Sequence, residues 1–170
     1  GNIGYQMSGL MPLRPPHWSG FVPAPGWDET YDWKGYAPVS DLPRTMNPDC
    51  GYIVTANQDL NHFSDINPIN SPMGAYRAHR IEERLEGTNR ADVSLCQAIQ
   101  NDVFSLQAEE ICEFLQTHLT AEIDPLRDWD YSYDETSTQA TLFEAIYQEL
   151  RRAVFGDGGL GANALDALLD

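Results

Sequence analysis

The chain has 170 residues, 42% of them hydrophobic and 11% aromatic, which is enough to build one ordinary core and too apolar for a disordered segment. Its 26 acidic residues outnumber 10 basic ones, and the formal net charge of −16 repels phosphate backbones and anionic lipid, which excludes nucleic acid and membrane surfaces as partners. No apolar run reaches the length of a membrane-spanning helix, and the opening on Gly1 without an initiator Met reads as a piece cut from something longer.

Ile3, Tyr5 and Met7 alternate with Gly4, Gln6 and Ser8, the period of two that predicts a strand. A loop follows. Eight of the eleven prolines lie between Pro12 and Pro48, and their fixed φ and missing N–H rule out a long helix there. Trp18, Trp27, Tyr31, Trp33 and Tyr36 are interleaved with them. Flexible linkers lack such rings, so the loop is expected to be ordered and packed, as cover for a sheet or, alternatively, as part of an apolar pocket. The turn Asn47-Pro48-Asp49-Cys50-Gly51 leads into a second predicted strand, Tyr52-Ile53-Val54-Thr55, which ends at Ala56-Asn57-Gln58.

Beyond Pro72 the pattern becomes helical. Ala78, Ile81 and Leu85 share one face, with Gly87 as the stop. Ser94 and Gln97 have capping-box spacing, with Asp92 as a competing cap. Cys96, Ile99, Val103 and Leu106 repeat at the spacing of a buried stripe, which Ile111, Phe114 and Leu115 continue. Leu142, Phe143, Ile146, Tyr147, Leu150 and Val154 form the clearest amphipathic helix, with Gly156 as its end. Cys96 and Cys112 are expected as small core residues, and three cysteines in all give no disulfide framework.

The order is strands and loop over residues 1–72, helices over 73–156 and a tail over 157–170, an α+β pattern. Two strands do not make a stable sheet alone, so the missing strands are expected from sequence outside this stretch or from a partner. Poor independent folding follows.

Several motifs fail on context. Gly156, Gly158 and Gly161 spell GxGxxG but follow a helix instead of opening one. Asp128, Asp130, Ser132 and Asp134 resemble a calcium loop, yet Tyr133 and Gln139 stand where glycine and glutamate are required. His17, His62, His79 and His118 share no catalytic spacing.

From Gly1-Asn2-Ile3-Gly4-Tyr5-Gln6-Met7-Ser8-Gly9 onward the chain resembles the penicillin amidase family. The likeness runs through Pro12-Leu13-Arg14 and Val22-Pro23-Ala24-Pro25-Gly26-Trp27-Asp28. It is strongest in Tyr31-Asp32-Trp33-Lys34-Gly35-Tyr36, Leu42-Pro43-Arg44 and Asn47 to Asn57. Tyr76-Arg77-Ala78-His79-Arg80-Ile81 and Gln100-Asn101-Asp102-Val103-Phe104-Ser105 extend it over the first two thirds of the chain.

The resemblance implies a four-layer αββα sandwich and a precursor that cleaves itself into two chains. This stretch would then be a middle section of the larger chain. The N-terminal serine of that chain, upstream of this stretch, would be the nucleophile, with its own α-amino group as base. Linear amides would be the substrates: β-lactam side chains, acyl-homoserine lactones or related N-acyl compounds. The partners would be the rest of the larger chain and the smaller chain, and the location periplasmic or secreted. A protein that keeps the scaffold without activity is the alternative.

Asn57 matches the asparagine whose amide lines the oxyanion hole, a neutral donor suited to that work; an Asx turn ending a strand is the plain alternative. Arg80 matches an active-site arginine that would orient the nucleophile's amino end or the asparagine, with Arg77 close enough to be the match instead and a Glu83 ion pair as the plain reading. No cofactor is required. The family allows a structural calcium, for which Asp65 is a candidate ligand.

Overall fold

In the computed structural model, which describes residues 1–88, 90–118 and 124–160 (of 157–160 only the backbone), Gly4–Gln6 (β1) pairs antiparallel with Arg44–Met46 (β2). The register is Gly4 to Met46, Tyr5 to Thr45 and Gln6 to Arg44. The pairing is extended on both sides, by Met7 N–H donating to the Pro43 carbonyl at 2.8 Å and Asn47 N–H to that of Ile3 at 2.9 Å. Asn47 has φ +48°, a left-handed conformation that asparagine tolerates, and its Oδ1 accepts from the Ile3 N–H at 2.9 Å. This closes the ladder. Packing divides the chain into Gly1–Thr88 and Asn89–Asp170, and β1 and β2 are the only strands longer than a single bridge among the described residues.

The predicted strand at residues 52–55 has no strand partner among the described residues. Side chains take the bonds that a partner strand would fill. Gln58 accepts from the Ala56 N–H through Oε1 at 2.6 Å and donates to the Val54 carbonyl through Nε2 at 2.8 Å. β-propensity here reported a half-buried surface, which this segment has, and not a ladder. Val54 and Ala56 pack with Tyr52 against Ala78, Ile81 and Leu85 of Tyr76–Leu85 (α1), the helix face that the sequence marked. Gly87 ends that helix at φ +71°, as expected, because glycine meets no Cβ penalty there.

The proline-rich loop is tied at its base. Leu13 N–H donates to the Gly35 carbonyl, Lys34 N–H to that of Leu13 and Ala37 N–H to that of Met11, each at 2.9 Å. Within this unit Trp27 is 89% and Trp33 54% exposed, while Trp18 and Tyr31 are half-buried and meet edge to face at 6.1 Å.

In the second unit, Val93–Gln100 (α2) is capped by Asp92, whose Oδ1 accepts from the Leu95 N–H at 2.8 Å; Ser94 lies inside the helix. The stripe expected through Val103 breaks after Gln100. Asp102 turns the chain by accepting from the Phe104 N–H at 3.0 Å, and Ser105 N–H then donates to the Tyr131 carbonyl and Tyr133 N–H to that of Val103. A polar turn outcompetes the helical period here. Cys96 is therefore exposed, not core, and Val103 is exposed as well.

Leu106–His118 (α3) and Thr138–Arg151 (α4) close around one core of Ala108, Cys112, Leu126, Trp129, Ala140 and Phe143. Of the continued stripe, Leu115 is buried and Ile111 packs against the core as expected, whereas Phe114 is exposed and Ala108 and Cys112 complete the buried face. Ile146 and Tyr147 pack against the core from α4, whereas Leu142, Leu150 and Val154 are exposed. Beyond α4 the backbone widens into a π-helical stretch, Arg152–Leu160, that runs past Gly156 instead of stopping there. Gly161 and most of the expected tail lie outside the described residues. No helix among the described residues is long and apolar enough to cross a membrane.

Candidate functional site

Asn57 sits where the packed segment 54–56 gives way to a loop. Val54 and Ala56 are buried on α1, which fixes the backbone up to the residue before it. Asn57 itself is exposed, with φ +68°. Among residues with a Cβ, asparagine is one of the few that enter this region readily.

The loop from Asn57 returns to its own start. Met73 N–H donates to the Asn57 carbonyl at 2.8 Å. Inside it, Asn61 accepts from the Ile69 N–H at 3.0 Å and donates to the Ile69 carbonyl at 2.8 Å, a side chain imitating one rung of a sheet. The chain then enters α1 three residues after Met73.

That entry brings Arg77 onto Asn57. Its Nη2 donates to Asn57 Oδ1 at 2.9 Å and to the Ala56 carbonyl at 2.9 Å, and lies 3.8 Å from Met73 Sδ. Side chains on a helix lean toward its N-terminus, and Arg77 lies in the first turn, nearest Met73. The Asn57 Nδ2 end has no hydrogen-bond partner among the described residues. Asn57 is one of the residues that line a cleft of about 400 Å³, with Tyr5, Thr55, Gln58, Leu60, Ile69, Ser71 and Met73.

Arg80 is three residues further, about 4.5 Å along the helix axis. Its Nη1 donates to Glu83 Oε2 at 3.1 Å. Asn57 and Arg80, the two residues singled out from sequence, thus stand on neighbouring elements, and the guanidinium hydrogen-bonded to Asn57 is that of Arg77. The sequence carried a signal for it: Arg77 directly precedes Ala78, the most buried residue of α1, so it lies at the edge of the packed face.

Asp65 lies on a separate polar cleft with Asp41, Arg44 and His62. No group of three or more carboxylate, histidine or cysteine side chains converges to hold a metal among the described residues. Asp130 and Asp134 serve turns instead, accepting from the backbone N–H groups of Ser132 and Thr136. Burial foremost and then the charges of Cys50, Glu86 and Glu82 raise the Tyr52 phenol above its ordinary value.

The family model described as Penicillin amidase matches residues 1–170. Penicillin acylase 2 proenzyme of a Pseudomonas species is 33% identical over 94% of this chain and 22% of its own length. Acyl-homoserine lactone acylase QuiP of Pseudomonas putida is 32% identical over 92% of this chain and 22% of its own. Penicillin G acylase of Escherichia coli is 40% identical over 34% of this chain. The chain spans about a fifth of the length of the first two curated relatives.

Proposed function

The chain belongs to the penicillin amidase family, and on that premise we propose that it is part of an acylase that hydrolyses a linear amide bond. In this reading a serine upstream of this stretch, at the N-terminus of a self-processed larger chain, attacks the amide carbonyl. Its hydroxyl proton passes to its own α-amino group, the tetrahedral oxyanion collapses, and the amine leaves with that proton. Water then hydrolyses the acyl-ester to a carboxylic acid and restores the serine. The substrates are N-acyl compounds of the kind named for the relatives, β-lactam side chains or acyl-homoserine lactones. The four-layer sandwich supplies the strands that β1 and β2 lack, and an exported, periplasmic location goes with the reading.

One observation carries it: Asn57 is held at a positive φ among the residues lining a cleft, with Oδ1 taken by Arg77. A neutral donor held in place before reaction is what stabilises charge developing on a carbonyl oxygen. Arg80 is the second site residue, a cation one helical turn beyond Arg77 that orients the nucleophile's amino end.

The test is Asn57→Gly in the full-length protein. Glycine keeps the positive φ without strain and removes only the amide. Turnover is expected to fall about a hundredfold or more, with precursor folding intact. Unchanged turnover would remove Asn57 from the oxyanion hole. A residue without hydroxyl or thiol at the processing junction would instead leave a binding protein on an acylase scaffold.

A further inference from the structure

We infer that Ile69 measures the acyl group of the substrate: it is a rigid apolar wall of the cleft that Asn57 also lines, and it limits the length of acyl chain accepted there. The inference deepens the proposed function and rests on Asn57 being the oxyanion donor. Such a donor stands about 3 Å from the scissile carbonyl oxygen, so side chains lining the same cleft lie against the groups bonded to that carbonyl. At about 400 Å³ the cleft falls within the range of small-molecule sites. Leu60, Ile69 and Met73 form its apolar lining. Of the two halves of an N-acyl amide, the acyl chain is the apolar one, and it is the half that this lining suits.

The three side chains differ in how they respond to a ligand. Leu60 is buried and offers little surface, whereas Met73 is 50% exposed and unbranched, so it adapts to what it meets. Ile69 is half-buried and pinned from several directions. Its N–H donates to Asn61 Oδ1 at 3.0 Å and its carbonyl accepts from Asn61 Nδ2 at 2.8 Å, so one side chain holds both polar groups of its backbone. The residue after it is tied as well, since Asn70 Nδ2 donates to the Ser19 carbonyl at 2.7 Å. Pro68 before it is buried, with φ fixed by its ring. Branching at Cβ then leaves Ile69 a stiff first torsion. A wall that cannot repack discriminates by size, and one that can repack does not. Ile69 therefore sets specificity without taking part in the chemistry, and Asn61 is the positioning residue behind it.

The experiment uses the full-length, processed enzyme and straight-chain N-acyl 4-nitroanilides of graded acyl length, with kcat/KM as the readout. Ile69→Ala is expected to move the optimum to longer chains. The ratio of kcat/KM for a chain two methylenes longer to that for the wild-type optimum should rise about tenfold. Ile69→Phe is expected to move the optimum to shorter chains. A merely structural role for Ile69 would lower all chain lengths alike. Asn61→Ala, which frees the wall without changing it, is expected to flatten the profile; a profile kept sharp overturns Asn61's part. With the acyl group held and the amine changed from 4-nitroaniline to homoserine lactone, the ratio of Ile69→Ala to wild type is expected to stay the same.

An unshifted acyl profile in both Ile69 variants overturns the inference. So does a ratio that follows the amine and not the acyl chain, which would put the leaving group in this cleft. Neither result touches Asn57, whose own test is Asn57→Gly; unchanged turnover there overturns the reading beneath. If Ile69→Phe does not fold or process, Ile69→Ala and Ile69→Val decide, and wild-type profiles in both overturn the inference.

Discussion

Residues 1–88 bury Leu42, Pro43, Val54, Ala56, Leu60 and Ala78, mostly small or aliphatic side chains, and leave Trp27 and Trp33 in water. The unit that follows buries Trp129 and Phe143 and packs Tyr131, Tyr133 and Tyr147 against them. Trp129 lies 5.5–5.6 Å from the rings of Tyr131, Tyr133 and Phe143, and Phe143 stacks on Tyr147 at 5.8 Å. The first unit is held in shape by hydrogen bonds between backbone and the side chains of Asn47, Gln58, Asn61 and Arg77, the second by the packing of Trp129, Tyr131 and Tyr133 with Phe143 and Tyr147 of α4. The difference teaches where each kind of precision is spent. Hydrogen bonds fix directions and can aim an amide; packed rings supply stability without aiming anything.

That contrast is open to direct attack. The largest effect is expected from Phe143→Ala, which empties the centre of the second unit and should cost about 3–5 kcal/mol in denaturant unfolding. A loss under 1 kcal/mol would mean that the ring cluster is not what holds α4.

The buried Cys112 gives a pH test of the same core. Burial raises its thiol to about 11 from 9.0. Below pH 9 the thiol is neutral in both folded and unfolded states. Between 9 and 11 only the unfolded chain gives up its proton, so stability should fall across that window and fall less in Cys112→Ala. At pH 8 the exposed Cys50 and Cys96 should react with a thiol reagent well before Cys112. Equal rates for all three would contradict a closed core.

A smaller effect separates backbone from side chain in the first unit. Asn57→Ala should be about 1 kcal/mol less stable than Asn57→Gly, because alanine resists φ +68°. Identical melting of the two would show that the positive φ is not maintained. The smallest expected effect is that of Trp27→Ser. At 89% exposure within its unit it should shift stability by no more than about 0.5 kcal/mol. A loss several times larger in the full-length protein would show that this ring packs on another part of the enzyme.

Much of this was legible beforehand for α1, where Ala78, Ile81, Leu85 and Gly87 mark both the face and the end, and for β1. The second strand was misplaced, because Tyr52 to Thr55 has strand composition while Arg44-Thr45-Met46 does not advertise itself. What makes β2 a strand is the nearness of β1, sealed by Asn47, and nearness is not written in a local window. The stripe through Val103 failed for the related reason that Asp102 turns the chain against the helical period.

The sequence by itself determined the family, the α+β order, α1 with its stop and the choice of Asn57 and Arg80 as residues to follow. Only the tertiary structure decided which arginine meets the asparagine. Arg77 and Arg80 lie three residues apart and project to similar sides of one helix, so spacing cannot rank them. The return of the loop to Asn57 through Met73 sets the start of α1 beside it, and a hydrogen bond, whose strength falls away within an ångström, goes to the arginine in the first turn.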